Sequence, residues 1–173
     1  MILHGGFSHI FMNMLTLSMI GFACEHYLGK PKYVILLVLG AIGGNTFSAV
    51  FQNKCGIAIG ASTSLMTVLA FSIIFFLVNF ESMGANKLCY LMYLIMIASS
   101  QLFGSTDSSV DNYGHAGGFF AGVILTLCMY ETAYKNSIVK PLLPCVLTIG
   151  LAIFAILFYL MMFQIDTRAC GSV

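Results

Sequence analysis

Long apolar stretches separated by short polar breaks dominate this chain. Six stretches of membrane-spanning length run near residues 7–24, 33–51, 57–79, 87–103, 112–131 and 142–164. About 20 mainly apolar residues suffice for a helix to cross the hydrocarbon core. The runs are too long for strands and lack strict alternation, so they predict helices. The breaks read "CEHYLGKPK", "QNKCG", "NFESMGANK", "GSTDSSVDN" and "YETAYKNSIVKP", and they hold nearly all the charge. Pro31, Pro141 and Pro144 fall at the expected helix starts, where proline is tolerated. The expected architecture is an all-α, polytopic transmembrane bundle of six helices, with residues 1–173 forming one domain.

Composition strengthens this reading. The chain is 60% hydrophobic and 8% charged, against roughly 25% charged in a soluble domain. So few charges cannot cover a water-facing surface, and the chain reads as a multi-pass integral membrane protein with the lipid bilayer as its partner. A net charge of +1 argues against nucleic acid as a partner. The six cysteines form no C-x-x-C pair and lie mostly in or beside apolar runs, where cysteine acts as a small hydrophobe. No metal site or cofactor is expected, although Cys55 and Cys170 share a predicted side and could form one bridge. Residues 1–24 lack a positive leading region, and His9 and Asn13 interrupt their apolar run, so they do not read as a signal peptide.

Orientation follows from lysine and arginine in short loops. The first, third and fifth breaks carry Lys30, Lys32, Lys87, Lys135 and Lys140, against Lys54 and Arg168 on the other side. This bias places the first, third and fifth breaks in the cytoplasm, with both chain ends on the opposite side.

Polar residues inside membrane segments are costly and point to function. His9 and Asn13 are four residues apart, so they share a face of the first helix. Ser62 and Ser64, in "IGASTSLM", fall a few residues into the third expected helix. His115, in "NYGHAGGFFAG", falls a few residues into the fifth. All three helices enter from the non-cytoplasmic side, so His9, Asn13, Ser62 and His115 are expected at a similar depth. Acyl transfer fits these groups. A serine hydroxyl becomes nucleophilic when a base such as histidine takes its proton, and the oxyanion that forms needs donors placed in advance. The expected roles are Ser62 as nucleophile, His115 as base, and Asn13 with His9 as the oxyanion hole.

Glycines supply close approach. Gly114, Gly118 and Gly122 recur every four residues on the histidine helix, and Gly56, Gly60 and Ser64 do so on the serine helix. Such stripes let transmembrane backbones meet.

These residues resemble the rhomboid family of intramembrane serine proteases. The similar motifs are H-x-x-x-N in "HGGFSHIFMN", "GAS" around Ser62, the His-x-x-Gly-x-x-x-Gly pattern of "GHAGGFFAG", and G-x-x-x-E-x-x-x-G through Gly21, Glu25 and Gly29. The resemblance implies a Ser62–His115 dyad near the non-cytoplasmic face, with transmembrane proteins as substrates. It also implies that His9 and Asn13 assist the oxyanion, that Glu25 ties its helix end to nearby backbone, and that His4 holds water and loop contacts near the site. Thr63 stands where the family usually has glycine and is expected to add bulk. Met66 stands where an aromatic residue usually stacks on the histidine. Relatives carry a further helix and a lateral loop before the H-x-x-x-N helix. The expectation is another apolar run of about 20 residues ahead of "MILHGGF", and poor stability or activity of residues 1–173 without it. The helix after "YETAYKNSIVKP" resembles the eukaryotic layout with one extra helix.

Two roles fit Asp111, four residues before His115. It could orient the imidazole as a third member of a triad, or Asp107 or Asp111 could cap the helix within the cap-rich "STDSSVDN". The family resemblance implies a dyad. Two other functions compete with proteolysis. One is a non-catalytic rhomboid-like protein that binds membrane clients. The other is a transporter, which would need deeper ionisable groups and often an internal repeat.

Overall fold

The computed structural model describes residues 6–52, 61–104, 111–130 and 139–167. Helix α1 covers Phe7–Leu28, α2 Lys30–Phe51, α3 Ser62–Asn79, α4 Lys87–Gly104, α5 Asn112–Met129 and α6 Val139–Thr167. One 3₁₀ turn, Gly84–Asn86, precedes α4. No strand occurs among the described residues. The all-α bundle of six helices expected from the apolar runs is therefore present. Helices α1, α2, α3 and the Lys140–Phe163 part of α6 are long and apolar enough to cross a membrane. Asn112, Gly114 and His115 make the first turn of α5 more polar.

Some helix starts differ from expectation. Helix α6 begins three residues before 142, which leaves Pro144 inside the helix instead of at its start. Its ring removes the bond to the Lys140 carbonyl. Helix α3 begins at Ser62, so Ser62 is its first residue and not one a few residues in.

The chain turns from α1 into α2 through Gly29 alone, whose φ of +79° suits a residue without a Cβ. Its N–H donates to the Glu25 carbonyl at 2.8 Å. Gly21 leaves room for the Tyr33 hydroxyl across this hairpin, since a Cβ there would stand 2.6 Å from that oxygen. Gly21, Glu25 and Gly29 thus build the tight α1–α2 turn. The Glu25 backbone, through its carbonyl, is the part of that residue that ties down the turn.

Helix α3 is the most buried of the spans. Its residues Val68, Leu69, Phe71, Ile74, Phe75 and Phe76 form the centre of the core with Ile20, Cys24, Leu36, Leu94 and Ile97. This core lies in the half of the bundle away from Ser62. Met66 packs against it. Helix α5 runs parallel to α3 and antiparallel to α2, because Thr63 meets Gly114 and Gly118, Thr67 meets Gly122, and Gly44 meets Gly118. At its far end, Lys32 Nζ donates to the Met129 carbonyl at 3.2 Å, a cation at a helix C-terminus. Cys24, Cys89, Cys128 and Cys145 are free thiols, and Cys55 and Cys170 lie outside the described residues.

Candidate active site

Close packing of α5 creates the site. A Cβ on Gly44 would stand 2.8 Å from the Gly114 carbonyl and 3.0 Å from the Gly118 nitrogen. One on Gly118 would collide with the Thr63 carbonyl, and one on Gly122 would lie 2.7 Å from Thr67 Cα. The stripe Gly114, Gly118 and Gly122 therefore brings α5 to backbone distance from α3, with α2 equally close on its other side. Its partner on α3 differs from expectation. Thr63, Thr67 and Ala70 face it, while Ser64 turns to α2 and donates to the Leu37 carbonyl at 3.1 Å. Gly56 and Gly60 lie outside the described residues. The bulk of Thr63 is accommodated because its Cγ2 occupies the space that a Cβ on Gly114 would need.

Sequence reasoning missed two features here. Thr67, fully buried, donates from Oγ1 toward the Thr63 carbonyl at 3.1 Å and the Gly118 carbonyl at 3.0 Å, and packs on Gly40 of α2. It ties three helices together at one point. The other feature is Gly40-x-x-x-Gly44 on α2, whose spacing was itself the signal.

The faces of α3 now fix where Ser62 points. Successive helical residues are about 100° apart. Thr63 faces α5 and Ser64 turns to α2, so Ser62, about 200° round from Ser64, points away from α2. The start of α1 carries His9 and Asn13. Ser62 is 9% exposed, Asn13 4% and His115 8%, so all three are buried. As the first residue of α3, Ser62 also carries one of the first-turn backbone N–H groups that an α-helix leaves without a partner of its own.

Two buried nitrogens have no hydrogen-bond partner: Asn13 Nδ2 on α1 and His115 Nε2 on α5. Buried polar groups are nearly always paired, and Asp111 Oδ2 and Thr126 Oγ1 are the other two unpartnered buried side-chain atoms among the described residues. Asp111 sits one turn before His115 and receives its backbone N–H. His115 Nε2 does not bond Ser62 here, and free dyads are often loose until substrate closes them. His4 and Asp107 lie outside the described residues.

Asp111 is the N-cap of α5. Its Oδ1 accepts from the Gly114 N–H at 2.7 Å, and its carbonyl accepts from the His115 N–H at 3.0 Å. Capping the helix that carries His115 is its structural role. Asp111→Ala should lower stability by about 1 kcal/mol in thermal or denaturant unfolding. Asp111→Asn keeps an oxygen for the cap and should stay close to unmutated activity. A large activity loss in Asp111→Asn with unchanged unfolding would instead favour a triad.

Residues 1–132 match the family model for the Rhomboid domain. The chain belongs to the rhomboid family and is a multi-pass integral membrane protein. It is 36% identical to RHOMBOID-like protein 1 of Arabidopsis thaliana over 123 residues, which cover 71% of this chain and 31% of the relative. It is 26% identical to Rhomboid protease AarA of Providencia stuartii over 185 residues, covering 95% of this chain and 65% of the relative. It is 30% identical to Rhomboid-like protease 3 of Toxoplasma gondii over 139 residues, 78% of this chain and 51% of the relative. The chain thus spans between 31% and 65% of the length of these relatives. No solved structure matches it.

Proposed function

We propose that this chain is the proteolytic domain of an intramembrane serine endopeptidase that cleaves transmembrane proteins. The observation that carries the reading is the pair of buried, unpartnered nitrogens, Asn13 Nδ2 and His115 Nε2, at the end of the bundle where Ser62 opens α3. One is a donor suited to an oxyanion and the other is suited to take a proton. Membership in a family that includes Rhomboid protease AarA supports it.

In the proposed reaction the substrate unwinds near its membrane end, because a helix keeps its carbonyls bonded. His115 Nε2 takes the Ser62 hydroxyl proton as Oγ bonds to the scissile carbonyl carbon. The carbonyl oxygen becomes an oxyanion, bonded by Asn13 Nδ2, a His9 ring N–H and the Ser62 backbone N–H. The positive end of the α3 dipole adds to this stabilisation. His115 then gives its proton to the departing amine, and the C–N bond breaks. Water attacks the Ser62 ester by the same steps, with His115 as base, and Ser62 regains its proton.

Lys30 and Lys32 open α2, Lys87 opens α4 and Lys140 lies in the first turn of α6, all at the end opposite Ser62. This charge distribution supports an active site near the non-cytoplasmic face.

The test is covalent labelling of the purified full-length protein by a serine-directed probe. Labelling should centre on Ser62 and rise with pH as the His115 imidazole loses its proton, because only the neutral ring can act as base. Labelling no greater than in Ser62→Ala at every pH would favour the client-binding reading. Asn13→Ala should lower turnover by roughly 10- to 1000-fold, the range for loss of one oxyanion donor, and leave some labelling. His9→Ala should have a milder effect, since other donors share the load. Unmutated turnover in both variants would remove them from the oxyanion site.

A further inference from the structure

A recess of about 670 Å³ opens at the end of the bundle opposite Ser62, between α1, the end of α3 and the start of α4. Its size suits a small ligand or lipid headgroup. Tyr27, Phe75, Tyr90 and Tyr93 line it. Their rings form an unbroken series, with centroids 4.3 Å apart from Tyr27 to Phe75, 6.0 Å from Phe75 to Tyr90, and 6.1 Å from Tyr90 to Tyr93. Asn79, Ser82 and Asn86 complete the polar part of the lining, and none of the described lining residues carries a charge.

We infer that this recess binds the headgroup of a choline phospholipid from the adjoining leaflet. Four points favour this ligand. First, aromatic faces attract a quaternary ammonium, which needs no hydrogen bonds, and the accessible rings here are Tyr27 and Tyr93, since Phe75 is buried and Tyr90 stacks on Phe76 at 5.7 Å. Second, the rings sit at helix ends, where lipid headgroups lie. Third, an uncharged lining matches a headgroup of zero net charge. An anionic headgroup would meet no cation there, because nearby Lys87 lies over the Phe80 ring at 4.5 Å. Fourth, the Asn86 amide and the Tyr27 and Tyr93 hydroxyls can donate to phosphate oxygens. Asn79 is already engaged with the Phe75 carbonyl at 2.8 Å and the Tyr130 hydroxyl at 2.9 Å, which anchors the recess floor. The inference is independent of proteolysis, since the recess contains none of the residues proposed for catalysis.

Native mass spectrometry of the full-length protein tests it. The protein is offered an equimolar mixture of phosphatidylcholine, phosphatidylethanolamine and phosphatidylglycerol with identical acyl chains. The phosphatidylcholine adduct should exceed each of the others by about fivefold, a preference in the range of one cation–π contact. Tyr27→Leu and Tyr93→Leu should each reduce that preference to twofold or less, while Tyr93→Phe keeps it. Tyr27 is half exposed and Tyr93 is only partly buried, so these changes spare the core. Thermal unfolding confirms that each variant is folded. Equal adducts of the three lipids would overturn the inference. So would an undiminished preference in both leucine variants, or soluble phosphocholine binding where the phospholipid does not.

Discussion

Ser62→Ala should reduce cleavage of a model transmembrane substrate in reconstituted membranes by a thousandfold or more, whereas Ser64→Ala should stay within a few-fold of the unmutated rate. The two hydroxyls are only two residues apart, and the packing of α3 separates their roles. About 200° of rotation lies between them. The Ser64 hydroxyl donates to the Leu37 carbonyl of α2, so it is committed to helix packing on that flank. Ser62 points away from that flank and begins the helix. Losing the Ser64 bond removes one neutral hydrogen bond, worth about 1 kcal/mol of stability. Losing Ser62 removes the proposed nucleophile itself. Full activity in Ser62→Ala would refute the assignment, and loss of cleavage in Ser64→Ala with normal unfolding would transfer the role to Ser64.

Gly118→Ala should destabilise the protein by about 1–3 kcal/mol in detergent unfolding and take activity with it. In an isolated helix the same change would gain about 1 kcal/mol from propensity. Here the added methyl meets the Thr63 carbonyl, which is backbone and cannot rotate away. Relief requires α5 to move from α3, and that motion also displaces His115 and weakens the Thr67 bond to the Gly118 carbonyl. Gly150→Ala on α6 is the control. Its Cβ would stand 2.7 Å from Ile124 Cδ1, the flexible tip of a side chain, so stability should change by no more than about 0.5 kcal/mol. If Gly118→Ala behaves like Gly150→Ala, the backbone contact of α3 with α5 does not hold the site together.

The six helices were legible in the chain because each needs a long apolar run, and such runs are visible without knowing what packs on them. The expectation that His9, Asn13, Ser62 and His115 share a depth came from counting helices across a membrane, and the close-packing glycine stripe of α5 followed from its spacing. The roles within α3 were less legible. Gly56, Gly60 and Ser64 formed a plausible contact stripe, yet Thr63, Thr67 and Ala70 face α5. A shift of one residue turns a helix by about 100°, and α3 carries small polar residues on more than one face, so no single polar face sets its rotation.

The sequence by itself determined that this chain is a helical membrane protein, which segments form its helices, and which few polar side chains those helices carry into the bilayer. Tertiary structure decided how each helix is rotated and where it begins. It committed Ser64 to α2 and Asp111 to the cap of α5, and it left Asn13 Nδ2 and His115 Nε2 without partners. Apolar pattern is a property of each segment, whereas rotation is set by whichever small residues on two neighbours let their backbones approach. Only the packed bundle chooses among those pairings.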